Sequence, residues 1–264
     1  MRFRRSPLHP VLLAGALLSG IAVSPSASGQ DPLTGAQERD STPSDPAAMG
    51  FLLEFVDRRM YTLVGAGAEQ VHLQGQMINS PAGQPSQTCR FEVVVDLRTM
   101  QMQFNTIGET QFSPQALGFA RQFTNFAITT KPSFANERNV IRLSRDGDKI
   151  KLIHRPRTKE VVKLAVTEWY TKEGKPLRRH VIKTAEGVSL REETIVELMD
   201  AGNDQFVILR ETTTAPGQPR KVLSFEYERI DGYLRLRRAK MEFPGNSVVC
   251  DFLLRIEPKK PARR

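Results

Sequence analysis

Residues 222–243 read VLSFEYERIDGYLRLRRAKMEF, and in the first half of this stretch large apolar or aromatic residues alternate with polar ones. Leu223, Phe225 and Tyr227 take every second position. Side chains of a β-strand point alternately to the two faces of the sheet, so this alternation predicts a half-buried strand. Asp231-Gly232 then gives a two-residue turn, and a second strand follows over residues 234–243. The stretch therefore predicts an antiparallel hairpin.

The same pattern extends in both directions from this hairpin. Turn signals such as Ala215-Pro216-Gly217 separate the apolar runs, and they are short enough for hairpins between sequential strands. Further strands are predicted at residues 140–143, 150–154, 161–171, 177–184, 190–199, 206–214 and 248–256. Three earlier strands follow from alternation at residues 71–77, 89–95 and 100–104. Together they predict one long antiparallel meander.

Two helices interrupt the β pattern. Asp45 is a good N-cap and Pro46 a good first helical residue. The apolar positions after them recur at helical spacing, and they are Leu52, Val56, Met60 and Leu63. This spacing predicts a helix that ends near residues 65–67. Ser113 and Pro114 repeat the signal and open a second helix that runs to about Ile128. The fold class is therefore mainly β (α+β), with a strongly curled sheet of about twelve strands covered by two helices.

The apolar faces of these elements suggest a ligand site. If two helices cover so large an apolar sheet face incompletely, a cavity remains between sheet and helices. Phe119, Phe123 and Phe126 form one stripe of the second helix and could act as a removable plug. Ordinary core packing is the alternative interpretation, and on general grounds it is the commoner one. The candidate ligand-binding residues are Phe119, Phe123, Phe126, Phe91, Val93, Met102 and Phe104.

The N-terminus has the pattern of a secretory signal peptide. Arg2, Arg4 and Arg5 precede an apolar run from Val11 to Val23, which is followed by small residues. The run is shorter than the roughly 20 residues of a membrane-spanning helix. We therefore expect cleavage before Gln30 and a soluble protein in the periplasm or outside the cell.

Composition divides the chain into four parts. Residues 1–29 are the signal peptide, and residues 46–256 are a single β domain. Residues 30–45 and 257–264 are rich in charged residues, proline or small polar residues, which predicts a disordered arm and a disordered basic tail.

Cysteine content and charge bear on the compartment and the partners. Cys89 and Cys250 are the two cysteines, and each shares a strand face with apolar residues. Because exported proteins meet oxidising conditions, we predict a disulfide between them. The net charge of +9 permits an anionic partner. Outside the cytoplasm this would be a lipid headgroup or a cell-wall polymer rather than nucleic acid, although plain solubility explains the charge equally simply.

No motif in the sequence indicates catalysis. His72, His154 and His180 lack cysteine or carboxylate residues at metal-ligand spacing, and carboxylates are paired at Glu192-Glu193 and at Glu226 and Glu228. Glu226 and Glu228 would lie about 7 Å apart on one strand face, within the range that a glycosidase requires. Since the other face of that strand is apolar, we interpret them as its solvated side. We expect no enzyme activity, no cofactor and no metal site.

Two segments resemble a known family. Residues 169–179 read WYTKEGKPLRR and are similar to a hairpin of the periplasmic lipoprotein-carrier superfamily, in which a strand ends in a charged Gly-x-Pro turn. Residues 227–234, YERIDGYL, are a second match, although family members often have a proline soon after this glycine. The superfamily includes the Lol carriers and outer-membrane lipoprotein-sorting proteins. The resemblance implies a half-open barrel closed by helices, with a hydrophobic interior that holds acyl chains and no catalytic residues.

Three functional hypotheses follow. The leading one is an exported, monomeric, non-catalytic carrier for an apolar ligand, such as the acyl chains of a lipid or lipoprotein, with an envelope membrane protein as a possible partner. The alternative is a protein-interaction or sensory module of the envelope, without lipid cargo, that uses the outer rim. The third is an enzyme that acts on cell-wall polymer.

Overall fold

The hairpin predicted from residues 222–243 is present in the computed structural model of the protein. Its strands pair antiparallel, with Leu223 opposite Met241 and Phe225 opposite Ala239. Asp231 and Gly232 form the turn with φ angles of 52° and 80°. Positive φ at both central positions is the geometry of a turn whose twist matches that of the flanking strands.

The structure describes residues 44–99, 101–108, 114–128, 139–156, 163–185 and 188–258. These residues form twelve strands: β1 (Ala68–Pro81), β2 (Gln87–Asp96), β3 (Gln101–Ile107), β4 (Asn139–Asp146), β5 (Lys149–Pro156), β6 (Lys163–Tyr170), β7 (Pro176–Ala185), β8 (Val188–Gly202), β9 (Gln205–Ala215), β10 (Gln218–Ile230), β11 (Tyr233–Phe243) and β12 (Asn246–Pro258). They make one sheet in the order β3-β2-β1-β12-β11-β10-β9-β8-β7-β6-β5-β4. The sheet is an antiparallel meander that does not close, with β3 and β4 at its edges. The predicted fold class is confirmed.

The first helical segment, α1, covers residues 46–59. It consists of an α-helix (Pro46–Phe51), a π-helical turn (Leu52–Val56) and a last α-helical turn (Asp57–Arg59). The predicted start is right, because the side chain of Asp45 accepts a hydrogen bond from the Ala47 amide at 2.9 Å. The predicted end near residues 65–67 is wrong. Met60 instead forms a parallel bridge with Phe206 of β9, and this pairing ends the helix.

The second helix, α2, spans Pro114–Ile128 as predicted and packs against β1, β2 and β11. Within the described ranges, neither helix is long and apolar enough to span a membrane. We call the sheet face that both helices cover the inner face.

Two apolar cores lie on the inner face. The larger core joins α2 to β1–β3 and β9–β12. The smaller one joins α1 to β4, β5 and β6 through Phe51, Leu52, Ile141, Leu152 and Tyr170. The helices therefore cover different parts of one sheet.

The predicted disulfide is absent: Cys89 and Cys250 are both buried free thiols. Met77 of β1 pairs with Cys89 on one side and with Cys250 on the other. Two strand spacings of about 4.8 Å separate the cysteines. This exceeds the limit of about 7 Å between the Cα atoms of a disulfide.

Ser44 and Asp45, the last two residues of the predicted arm, are bonded to β4. The Ser44 hydroxyl receives a hydrogen bond from the Ile141 amide at 3.1 Å, and the Asp45 amide donates to the Ile141 carbonyl at 2.8 Å. These two residues fix the start of α1 to β4. Residues 30–43 of the predicted arm, the signal peptide and residues 259–264 lie outside the described part of the chain, whereas Glu257 and Pro258 belong to β12.

Candidate functional site

The inner face has an apolar half, formed by β1–β3 and β10–β12 under α2. Alternate residues of these strands point toward the helix and are almost completely buried. They include Val71, Leu73, Met77, Phe91, Val93, Val95, Leu223, Phe225, Met241 and Phe252. These side chains make up most of the larger of the two apolar cores.

The structure brings all seven predicted ligand-binding residues together in this apolar half. Phe91 and Phe123 are fully buried and Val93 is 1% exposed. The other four, which are Met102, Phe104, Phe119 and Phe126, are partly buried against the same core. The Phe91 and Phe104 rings stack with centroids 5.2 Å apart, and the Phe126 ring lies 4.7 Å from that of Phe225. Their role in ligand binding stays a prediction.

Gly75 of β1 makes room for one of these rings. It pairs directly with Phe91 on β2, and a Cβ atom at position 75 would lie 2.2 Å from Phe91 Cζ. The Phe91 ring therefore lies over the glycine. Strand alternation places position 75 on the apolar face but gives no reason for a glycine there.

The inner face also has a polar half, on β5–β10. We call its polar side chains the polar band: His154, Glu168, Arg179, Lys183, Glu192, Thr194, Glu211, Thr213 and Lys221. Strand register places several of them side by side. Glu168 lies opposite Arg179, Arg179 opposite Thr194, Thr194 opposite Thr213, and Thr213 opposite Lys221. These direct pairs cross five neighbouring strands from β6 to β10, and His154 extends the band to β5.

Most charges of the polar band are neutralised in pairs. Arg179 Nη2 lies 3.5 Å from Glu211 Oε1, and both side chains are nearly buried. Lys183 Nζ lies 3.0 Å from Glu192 Oε1. Burial alone would lower the pKa of Arg179, but Glu211 and Glu168 raise it above its usual value. A buried charge is stable only with such partners.

Glu168 is held in its charged form. Burial alone would raise its pKa, but His154, Arg179 and Tyr170 lower that pKa to about 2. His154 Nε2 lies 3.0 Å from Glu168 Oε2, and the Tyr170 hydroxyl donates to the same oxygen at 2.7 Å. The Tyr170 ring also contacts Phe51 of α1, with ring centroids 5.8 Å apart. The first helical segment therefore covers this end of the polar band.

Lys221 lies at the opposite end of the band and is only partly buried. Among the described residues, no carboxylate oxygen lies within the 4.0 Å limit of an ion pair from its Nζ. Burial lowers the pKa of Lys221 to about 7, an effect that Glu192 and Glu211 oppose and Lys183 reinforces.

The structure separates residues that the sequence places together. Glu192 is a buried inner-face residue, whereas Glu193 points outward and lies 2.9 Å from His180 Nε2. Glu226 is exposed on the outer side, as predicted for the solvated face of its strand. His154, which is isolated in the sequence, contacts Glu168. In the described part of the chain, no three His, Cys, Asp or Glu residues come close enough to hold a metal ion.

The polar band was missed by the sequence analysis, although a signal for it exists. Its members stand at the alternate strand positions that apolar residues occupy elsewhere in the same strands. Glu168 stands between Val166 and Tyr170, and Lys221 stands two residues before Leu223. A charged residue at such a position has a side chain that points to the inner face. The sequence does not show which charges on different strands meet.

One pocket formed by described residues lies on the outer side of β1, β2 and β12. Its lining includes outward-facing side chains such as His72, Gln74, Glu92 and Arg255. This pocket is not the predicted cavity between sheet and helices, which stays a prediction.

Comparison with known proteins finds similarity among solved structures. No family model and no curated protein matches the chain. A LolA superfamily protein from Nitrosomonas europaea is 11% identical, with 80% of this chain and 94% of that chain covered and a TM-score of 0.34. A DUF1329 family protein from Desulfovibrio piger is 12% identical, with 82% and 94% covered and a TM-score of 0.33.

A third similar structure is a putative outer membrane lipoprotein-sorting protein domain from Vibrio parahaemolyticus. It is 13% identical, with 73% of this chain and 87% of that chain covered and a TM-score of 0.30. The Nitrosomonas and Vibrio proteins bear names from the superfamily that the sequence resembles.

Proposed function

We propose that this protein is an exported, non-catalytic carrier that binds the acyl chains of a lipid or lipoprotein against the apolar half of the inner face. One observation supports the proposal above all. Among the described residues, α2 is the helix that covers this large apolar sheet surface, and its Phe119 and Phe126 side chains are only partly buried. Within the described ranges, no further strand pairs with the outer edge of β3, so the described sheet does not enclose this region.

The energetics of such binding are favourable. Burial of each acyl methylene contributes about 0.8 kcal/mol. If α2 moves away from the sheet, an acyl chain can replace Phe119, Phe123 and Phe126 against the same apolar strands. Because an apolar acyl chain replaces apolar phenylalanine side chains, the net free-energy cost of the exchange is small.

The cellular part of the proposal rests on the sequence. The signal-peptide pattern of residues 1–29 supports export to the periplasm or the exterior, and these residues lie outside the described part of the chain. We propose that the mature protein acts as a monomer and transfers its cargo to or from an envelope membrane protein.

The first test is native mass spectrometry of the purified protein, combined with uptake of an acyl-chain fluorophore. We expect a co-purified lipid adduct and saturable fluorophore binding. Neither would be found if the carrier proposal is wrong. Capture of an envelope protein by an empty protein would then favour the interaction module, and turnover of cell-wall polymer would favour the enzyme.

A matched pair of variants tests the lid role of α2. Phe123→Ala removes a fully buried ring from α2, and Phe51→Ala removes a ring that is 8% exposed from α1. A phenylalanine truncated in an ordinary core costs about 3–5 kcal/mol. We expect a smaller loss of stability for Phe123→Ala, together with altered fluorophore uptake, whereas Phe51→Ala should leave uptake unchanged. Equal uptake by both variants would contradict a lid.

A further inference from the structure

Lys221 lies where the polar and apolar halves of the inner face meet. It precedes Leu223 and Phe225 on β10 in the same alternation, and both of those side chains are buried in the larger apolar core. Thr213 lies directly opposite Lys221 on β9. A charged head and an apolar chain of one ligand could therefore contact the same strand.

The charge distribution distinguishes Lys221 from the other cations of the polar band. Arg179 lies within ion-pair distance of Glu211, and Lys183 within ion-pair distance of Glu192. Lys221 Nζ has no carboxylate oxygen at that distance within the described residues. Glu192 and Glu211 are near enough to affect its pKa, but each already has a closer cation.

Two threonine hydroxyl groups lie on the strands next to Lys221, since Thr213 pairs with Lys221 and Thr194 pairs with Thr213. The Thr194 and Thr213 hydroxyl oxygens lie 2.9 Å apart and share one hydrogen bond. Two hydroxyl groups carry two hydrogens, and the shared bond uses one of them. The second hydrogen has no acceptor among the residues that the structure describes, so it can be donated to a ligand on the inner face.

We infer that Lys221 and the Thr194–Thr213 hydroxyl pair bind the anionic headgroup of an amphiphilic ligand whose acyl chain lies on the apolar half. The inference rests on the proposed carrier function and adds the chemical class of the cargo, which is a carboxylate- or phosphate-bearing lipid. Burial lowers the pKa of Lys221 to about 7, and a bound anion would stabilise the charged form of this amine.

The test compares a fluorescent fatty acid with its uncharged methyl ester. Lys221→Met removes the charge and keeps the length of the side chain. Arg220→Met removes the same charge from the exposed neighbouring position and serves as the control. We expect the wild-type protein to bind the acid more tightly than the ester. Lys221→Met should weaken acid binding by about tenfold, the effect of losing one charge-assisted hydrogen bond, and leave ester binding and the control unchanged.

The outcomes separate the two proposals. If the wild-type protein binds neither probe, the carrier function itself is wrong. If it binds both probes equally and Lys221→Met changes neither affinity, the carrier function stands and the headgroup inference is overturned. Displacement of the acid by millimolar inorganic phosphate would identify a small-anion site and would also overturn it.

A second measurement uses the unaltered protein, in case Lys221→Met is unstable. Reductive methylation of Lys221, followed by peptide mass spectrometry, reports access to its amine. We expect the fatty acid to slow this methylation and the methyl ester to have no effect. Equal rates with and without the acid would contradict contact between the headgroup and Lys221.

Discussion

Glu168 is a buried carboxylate that makes the stability of the protein depend on pH. Its pKa in the folded protein is about 2, below the ordinary value of 4.5. A carboxylate with a lowered pKa stabilises the fold above its unfolded pKa, and this contribution is lost as the pH falls toward the folded pKa. The contribution of Glu168 is therefore complete above about pH 4.5 and disappears between about pH 4.5 and pH 2.

We expect Glu168→Gln to be less stable than the wild type at pH 7, by an amount of the order of 3 kcal/mol. The difference should shrink as the pH falls from 4.5 to 2, which urea unfolding at several pH values would measure. Glu226→Gln removes an exposed glutamate and should show no such change. A difference for Glu168→Gln that is constant with pH would show that its charge does not matter.

Single residues show where sequence reasoning succeeds and where it fails. Phe91 and Phe123 were assigned correctly to the apolar side, because strand and helix periodicity fix the direction of a side chain. Glu168 was missed, since its partners His154 and Arg179 lie on neighbouring strands. Gly75 was not explained, because its need for space arises from Phe91 on another strand. Sequence periodicity therefore gives the direction of a side chain but not the residue that it contacts on a neighbouring strand.

At the scale of elements, the start of α1 was predictable from the sequence and its end was not. Asp45 and Pro46 start α1 through local capping, which is visible in the sequence. The end at Arg59 depends on pairing between Met60 and Phe206, and a distant strand leaves no local signal. The apolar positions Leu52, Val56, Met60 and Leu63 were nevertheless all correctly predicted to be buried.

The contact between α1 and the β6–β7 turn gives a prediction for Gly174. This residue has a φ of +84°, and a Cβ atom there would lie 2.7 Å from the backbone carbon of Phe55. Gly217 has a φ of +69° and open space around it, so it serves as the matched control. A left-handed backbone costs about 1–2 kcal/mol for alanine at either site.

We expect Gly174→Ala to cost at least about 1 kcal/mol more than Gly217→Ala, because α1 must shift to admit the methyl group. Thermal or urea unfolding of both variants gives the comparison. Equal costs would show that the position of α1 adjusts freely and that its contact with this turn does not hold the helix.

For the whole molecule, the order of the strands that follow one another in sequence was predictable. The pairing of β1 with β12 was not. Turn signals join sequential strands, so β4 to β12 follow from local sequence. The pairing of β1 with β12 joins opposite ends of the chain, and no local signal specifies it. The disulfide prediction failed for this reason: a bond between Cys89 and Cys250 requires β2 and β12 to be neighbours, whereas β1 lies between them.

Thiol chemistry tests this strand order. Burial raises the pKa of both Cys89 and Cys250, and Asp251 raises that of Cys250 further. We expect neither thiol of the native protein to react readily with a thiol reagent at neutral pH. Two thiols should react after denaturation without reductant. A denatured, unreduced sample without free thiols, compared with a reduced control that has two, would contradict the order β2-β1-β12.

The pairing of β1 with β12 also has a consequence for how the chain reaches its native state. Gln70 pairs with Glu257, and Met77 with Cys250, so one side of β1 acquires its partner only after nearly the whole chain is available. Contacts between residues so far apart in sequence slow folding, since the closure entropy of a long loop must be overcome first. During synthesis, β1–β3 emerge early, and the edge of β1 that later pairs with β12 is still open. Such an edge is prone to aggregation until the last strand arrives.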